Sequence, residues 1–139
     1  MRRPHSKIET VGVDEITLTL PAERDFYRVA HLVLGGLAVR LNLTFEHLED
    51  LQLALDELLD NRTHDGEVTV SVFVRPDAIE ASVGPFPGGS VRRELEHETG
   101  AVGLRRILDT VVDRVELREG EGGDWVSLTK QLKAPEGAA

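Results

Sequence analysis

The sequence predicts an α/β (α+β) fold, a two-layer sandwich whose mixed, mostly antiparallel sheet is covered on one face by three helices. Two strand pairs joined by tight turns and three helical stripes grouped around them point to that architecture. A chain of 139 residues with 40% hydrophobic content builds one core, so a single domain is expected.

Ile16, Leu18 and Leu20 alternate with threonines and stop at Pro21, which reads as a half-buried opening strand. From Glu23 to Leu41, Phe26, Val29, Ala30, Val33, Leu37 and Ala38 recur at three- and four-residue steps, the stripe of an amphipathic helix. Gly35-Gly36 weakens its middle and leaves two readings, close packing or a slight kink. Thr44 fits an N-cap for a second helix, with Glu46 near the positive end of its dipole and Leu48, Leu51, Leu55 and Leu58 on the buried side. That helix is expected to end near Asn61, followed by a turn at His64-Asp65-Gly66.

Val68, Val70, Val72 and Val74 alternate strongly, and Arg75-Pro76-Asp77 turns the chain back into Ile79, Ala81 and Val83, giving a hairpin. The prolines and glycines of Gly84-Pro85-Phe86-Pro87-Gly88-Gly89 read as ending regular structure, with Phe86 packing the loop down. Ser90 to Gly100, with Glu94, Glu96 and Glu98, reads as a mobile polar loop. A third helix follows at Leu104, Ile107, Leu108 and Val111, then a closing hairpin through Val115 and Leu117, Gly120 to Gly123, and Trp125 to Leu132. Val70, Val72, Leu51, Leu55 and Ile107 are the expected interlayer core. Residues 1–13 read as an N-terminal extension, 14–132 as the domain and 133–139 as a disordered tail.

The net charge of −9, from 25 acidic against 16 basic side chains, repels a phosphate backbone. Only Arg2-Arg3, Arg92-Arg93 and Arg105-Arg106 cluster, so no nucleic acid is expected as a partner. The acidic balance suits either a basic protein partner or simple solubility. No apolar run reaches the length of a membrane span and no signal-type segment is visible, so a cytoplasmic location is expected. With no cysteine, thiol chemistry and disulfides are excluded.

Glu57 and Asn61 are four apart and share a side of the second helix, roughly 140° around from the leucine stripe at ~100° per residue. An amide oxygen can hold magnesium while a carboxylate one turn away polarises a hydroxyl attacking a γ-phosphate. Spacing alone also allows a solvated helix face. Gly100-Ala101-Val102-Gly103-Leu104 opens the third helix, where glycines leave backbone N–H groups accessible to an anion. An ordinary loop-to-helix junction has the same residues. His31, His47, His64 and His97 lack metal-ligand spacing, and Ser82, Ser90 and Ser127 lack a partnered histidine and acid. Trp125 reads as packing in the last hairpin, with an interface anchor as the alternative.

Four segments in order resemble the GHKL ATPases of the gyrase, Hsp90, histidine kinase and MutL type. Asp56-Glu57-Leu58-Leu59-Asp60-Asn61 is similar to their N box, and Gly100 to Ile107 to their second glycine box. Asp113 to Leu117 with Gly123 to Lys130 resembles the closing hairpin, and Leu18-Thr19-Leu20-Pro21-Ala22-Glu23 the opening strand and turn of the anti-sigma factor serine/threonine kinases. The resemblance covers residues 14–132 and implies the Bergerat-type fold. It also implies Glu57 as general base, Asn61 as the magnesium ligand through ATP, and Gly100, Gly103 and Leu104 as phosphate contacts. Mg-ATP would be the cofactor, and a sigma factor and an anti-anti-sigma (STAS-type) protein the partners, in a homodimer.

Two departures accompany the resemblance. Val83-Gly84-Pro85-Phe86-Pro87 stands where the family's first glycine box, Asp-x-Gly-x-Gly, offers adenine a carboxylate. A buried bond of that kind is worth about 1.5–3 kcal/mol, or one to two orders of magnitude in affinity. Arg62 stands where a small residue usually follows the asparagine. The sequence therefore leaves open a kinase or a non-catalytic protein-binding module of the same fold that has lost ATP binding.

Overall fold

The computed structural model describes residues 7–10, 15–41, 43–60, 66–96 and 103–132. Six strands and four α-helices follow in the order β1 (Lys7–Thr10), β2 (Glu15–Pro21), α1 (Arg24–Leu41), α2 (Phe45–Asp60), β3 (Glu67–Val74), β4 (Ala78–Phe86), α3 (Ser90–Glu96), α4 (Leu104–Val111), β5 (Arg114–Gly120) and β6 (Gly123–Gln131). A short 3-10 turn, Pro87–Gly89, joins β4 to α3. The sheet order is β1-β2-β3-β4-β6-β5, with every neighbouring pair antiparallel.

The period-two pattern decides which sheet face the helices cover. Across the sheet, Leu18 pairs with Val70, Val70 with Val83, Val83 with Val126 and Val126 with Leu117. Of these, Leu18, Val70, Val83 and Val126 are buried and Leu117 packs at the margin of the same core. The opposite face carries a row of short polar side chains at Thr17, Ser71, Ser82 and Ser127, paired in register across four strands. Thr17 bonds Ser71 at 3.2 Å and Thr19 bonds Thr69 at 3.0 Å, so these four hydroxyls are paired within the sheet. A one-residue slip would exchange the two faces, which is why the register is well specified.

Helix α2 is the centre of the second layer. Leu51, Ala54, Leu55, Leu58 and Leu59 are all buried, and Thr44 caps the first turn by accepting a bond from the His47 N–H at 3.0 Å. The Tyr27 hydroxyl of α1 donates to the Leu59 carbonyl at 3.2 Å, satisfying the one polar atom that this ring carries into the core. On the far side, the Lys130 Nζ of β6 donates to Asp50 of α2 at 2.9 Å and to the Val111 carbonyl at the end of α4 at 3.0 Å. This half-buried cation ties the sheet to two helices and meets the negative end of α4.

Several expectations need correction. Residues 90–96 form helix α3 instead of a mobile polar loop, because Val91 and Leu95, four apart, bury their side chains in the core and outweigh the charged positions between them. Strand β4 runs on through Gly84 and Pro85 to Phe86, where a strand was expected to stop. The Gly84–Pro85 peptide is cis, and the register to β6 shifts between Val83 and Phe86, so the ladder accommodates the proline at an irregularity. Phe86 is buried, as the packing reading required. Ile107 is only half-buried; Leu104 and Leu108 are the α4 side chains in the core. The chain ahead of residue 14, read as an extension, supplies strand β1 at the sheet edge, with Ile8 opposite Leu18. The expected turn at His64-Asp65 and the tail at 133–139 lie outside the described residues.

Candidate functional site

Lys130 ties α2 to α4. It joins Asp50, in the first half of α2, to the last turn of α4. Asp50 and Glu57, seven residues apart, lie on one flank of α2. Glu57 is half-buried.

Gly103 is the N-cap of α4, with φ −68° and ψ 157°, and no side chain caps the turn among the described residues. Its carbonyl accepts the Ile107 N–H at 3.1 Å, which leaves the N–H groups of the first turn pointing out of the helix. Leu104 is buried and anchors that turn to the core; its side chain is structural and only its backbone N–H is available to a ligand. Such a turn attracts an anion through its dipole and its unpaired donors. Asn61 and Gly100 lie outside the described residues, so the magnesium position is not tested by this geometry.

The end of β4, where the family's adenine carboxylate would stand, has a different construction. A Cβ added at Gly84 would come within 2.5 Å of the Trp125 ring, so the indole lies directly against the backbone there. Trp125 also crosses Gly120, where an added Cβ would meet the ring at 2.7 Å, and its Nε1–H donates to the Glu121 carbonyl at 3.2 Å. These contacts assign Trp125 to packing within the last hairpin.

The buried carboxylate in this corner is Asp124, opposite Phe86 in the sheet register. It is already engaged. Arg92 of α3 donates to it at 2.8 Å, with Glu96 at 3.4 Å and Glu119 at 4.0 Å around the same guanidinium. The hydrogen bond to Asp124 holds the Arg92 pKa above its usual value. Sequence reasoning missed this pair, since its members are 32 residues apart and only the fold joins them.

A separate cleft of about 310 Å³ lies between α1 and α2, lined by Arg24, Arg28 and His31 on one side and Asp56 and Asp60 on the other. His31 Nε2 stands 2.7 Å from Asp56 and Arg24 3.3 Å from Asp60. No group of three or more potential metal ligands occurs among the described residues. No helix among them is long and apolar enough to cross a membrane.

An antiparallel sheet layered with helices in this element order has the architecture of the GHKL class. Comparison with known sequences then narrows it. The chain is 30% identical over 142 residues to the serine-protein kinase RsbW of Listeria monocytogenes, an alignment covering 86% of this chain and 88% of that one. The RsbW proteins of Halalkalibacterium halodurans and Bacillus velezensis are 28% and 27% identical, each over 88% of this chain. Among solved structures, the crystal structure of the RsbU and RsbW domains of Rv1364c from Mycobacterium tuberculosis matches with a TM-score of 0.60 at 19% identity. That match covers 88% of this chain and 33% of the two-domain chain, and shows the shared fold. No family model matches the sequence. The chain belongs to the RsbW family of serine-protein kinases.

Proposed function

We propose that this chain is an anti-sigma-type regulatory protein of a bacterial partner-switching system. In this reading it sequesters a sigma factor in the cytoplasm and gives it up when a STAS-type antagonist binds this chain instead, acting as a homodimer. What supports the reading is membership of the RsbW family, with Glu57 on α2 and Gly103 as the N-cap of α4.

In this reading the phosphate end of the nucleotide site is kept and the adenine end is altered. Gly103 and Gly100 would offer backbone donors to the phosphates of Mg-ATP, Asn61 would hold the metal, and Glu57 would accept the proton of the attacking seryl hydroxyl. When bound, ATP supplies the transferable phosphoryl group. The base contact fits poorly: Gly84 lies under Trp125, Phe86 is buried, and Asp124 already accepts from Arg92. The same observations favour the second reading, a protein-binding module of the same fold without turnover.

Both readings require partners, so the first experiment is a partner assay. The purified chain is titrated with the sigma factors and STAS-domain proteins of its own genome and followed by size-exclusion chromatography with light scattering. One sigma factor is expected to co-elute and to be displaced by one STAS protein. Failure to bind any of them would overturn the regulatory reading.

A further inference from the structure

Gly35 and Gly36 occupy the middle of α1, where glycine is the least favourable residue after proline. Nothing nearby demands them. A Cβ added at either position meets no atom within 4 Å, which sets aside close packing inside the chain as their reason.

The same region is unusually apolar for a surface. Leu32 and Val39 of α1 are 74% and 82% exposed, and Phe45 and Leu53 of α2 are 73% and 42% exposed. The contacts Arg24–Asp60 and His31–Asp56, with the Leu43 N–H bonded to the Ala38 carbonyl, make α1 and α2 an antiparallel pair. In that register Leu32 lies level with Leu53 and Val39 with Phe45, and the glycines fall between the two levels. At ~100° per residue Leu32 and Val39 share one side of α1, with Gly35 turned from them toward α2 and Gly36 away from it, while Phe45, Glu49 and Leu53 share one side of α2. The four large side chains therefore flank the α1–α2 seam as a notch where Gly35 leaves the α1 backbone without a side chain.

We propose that this notch is a docking surface for an amphipathic helix of a partner protein, apolar along one stripe and basic on the flank that lies over α2. Side-chain-free positions let a second helix approach the backbone of α1 closely and seat its ridge between the rim residues. Glu46 and Glu49 border the notch on α2, are exposed, and have no ion-pair partner among the described residues. They call for cations opposite them. Arg40 stands on the α1 edge, so the complementary helix is basic on one flank only. The same face of a second copy is the poorer occupant, since it would set Glu46 and Glu49 of one copy against those of the other. The inference uses neither the nucleotide site nor the identity of the sigma factor, and it fails or succeeds apart from the proposed function.

The test uses the full chain and a dye-labelled model helix of about 18 residues, leucine along one stripe and lysine on one flank, long enough to hold helical structure. Fluorescence anisotropy should show saturable binding that weakens at least about tenfold in Gly35→Leu, which fills the notch, and similarly in the Glu46→Lys/Glu49→Lys double variant. Circular dichroism melting checks that each variant remains folded. Gly35→Ala provides a smaller filling that keeps the helix should Gly35→Leu not fold. A peptide with its lysines kept and its leucines replaced by serine should bind at least about tenfold more weakly than the leucine peptide. Equal binding by the serine peptide, or unchanged binding in both glycine variants, would overturn the proposal by reducing the effect to charge attraction. Concentration-dependent dimerisation abolished by Gly35→Leu would also overturn it, by making a second copy the occupant.

Discussion

Leu55 is 2% exposed at the centre of α2, facing the sheet, and its leucine stripe was plain from spacing alone. Leu55→Ala should cost about 2–5 kcal/mol in urea denaturation, the range for a buried leucine truncated to alanine. A loss under about 0.5 kcal/mol would place the residue on the surface. The glycines of α1 run the other way. Gly35→Ala and Gly36→Ala should each raise stability by about 0.8–1.0 kcal/mol, because alanine is the better helix former and its methyl group has open space to enter. Destabilisation by either would mean that the backbone there needs glycine. Ile107 marks the limit of legibility at this scale. A third-helix stripe at Leu104, Ile107, Leu108 and Val111 is wide enough for either edge to be buried, and the packing against α2 selected Leu104 and Leu108.

At the scale of elements, alternation and capping were readable, and long-range compensation was not. The valines of β3, the Thr44 cap and the closing hairpin all follow from local pattern. Helix α3 escaped notice because its two apolar anchors, Val91 and Leu95, are outnumbered by charged neighbours, and Arg92 gains its partner Asp124 only through the fold. Strand β4 escaped for a related reason. Its glycine reads locally as a breaker, yet Gly84 is what lets the Trp125 ring lie on the strand. Gly84→Ala should therefore cost about 1–3 kcal/mol through overpacking, with an altered Trp125 emission spectrum as the ring shifts. A variant with unchanged stability and emission would show that the ring does not rest on residue 84.

For the molecule as a whole, the order of elements carried more information than any one motif. Lys130 ties Asp50 of α2 to the end of α4, a link between sheet and helices that sequence spacing alone could not show. The absence of an aspartate at Val83 to Pro87 was legible at once, whereas the capture of Asp124 by Arg92 required the sheet register. Together they define the central claim, a regulator with a phosphate-binding end and no selective base pocket. Calorimetric titration of the purified chain with Mg-ATP and with Mg-GTP tests it most directly. The account predicts ATP binding no tighter than about 100 μM, roughly 5.5 kcal/mol, with GTP within about tenfold. Low-micromolar binding with strong preference for ATP would contradict it.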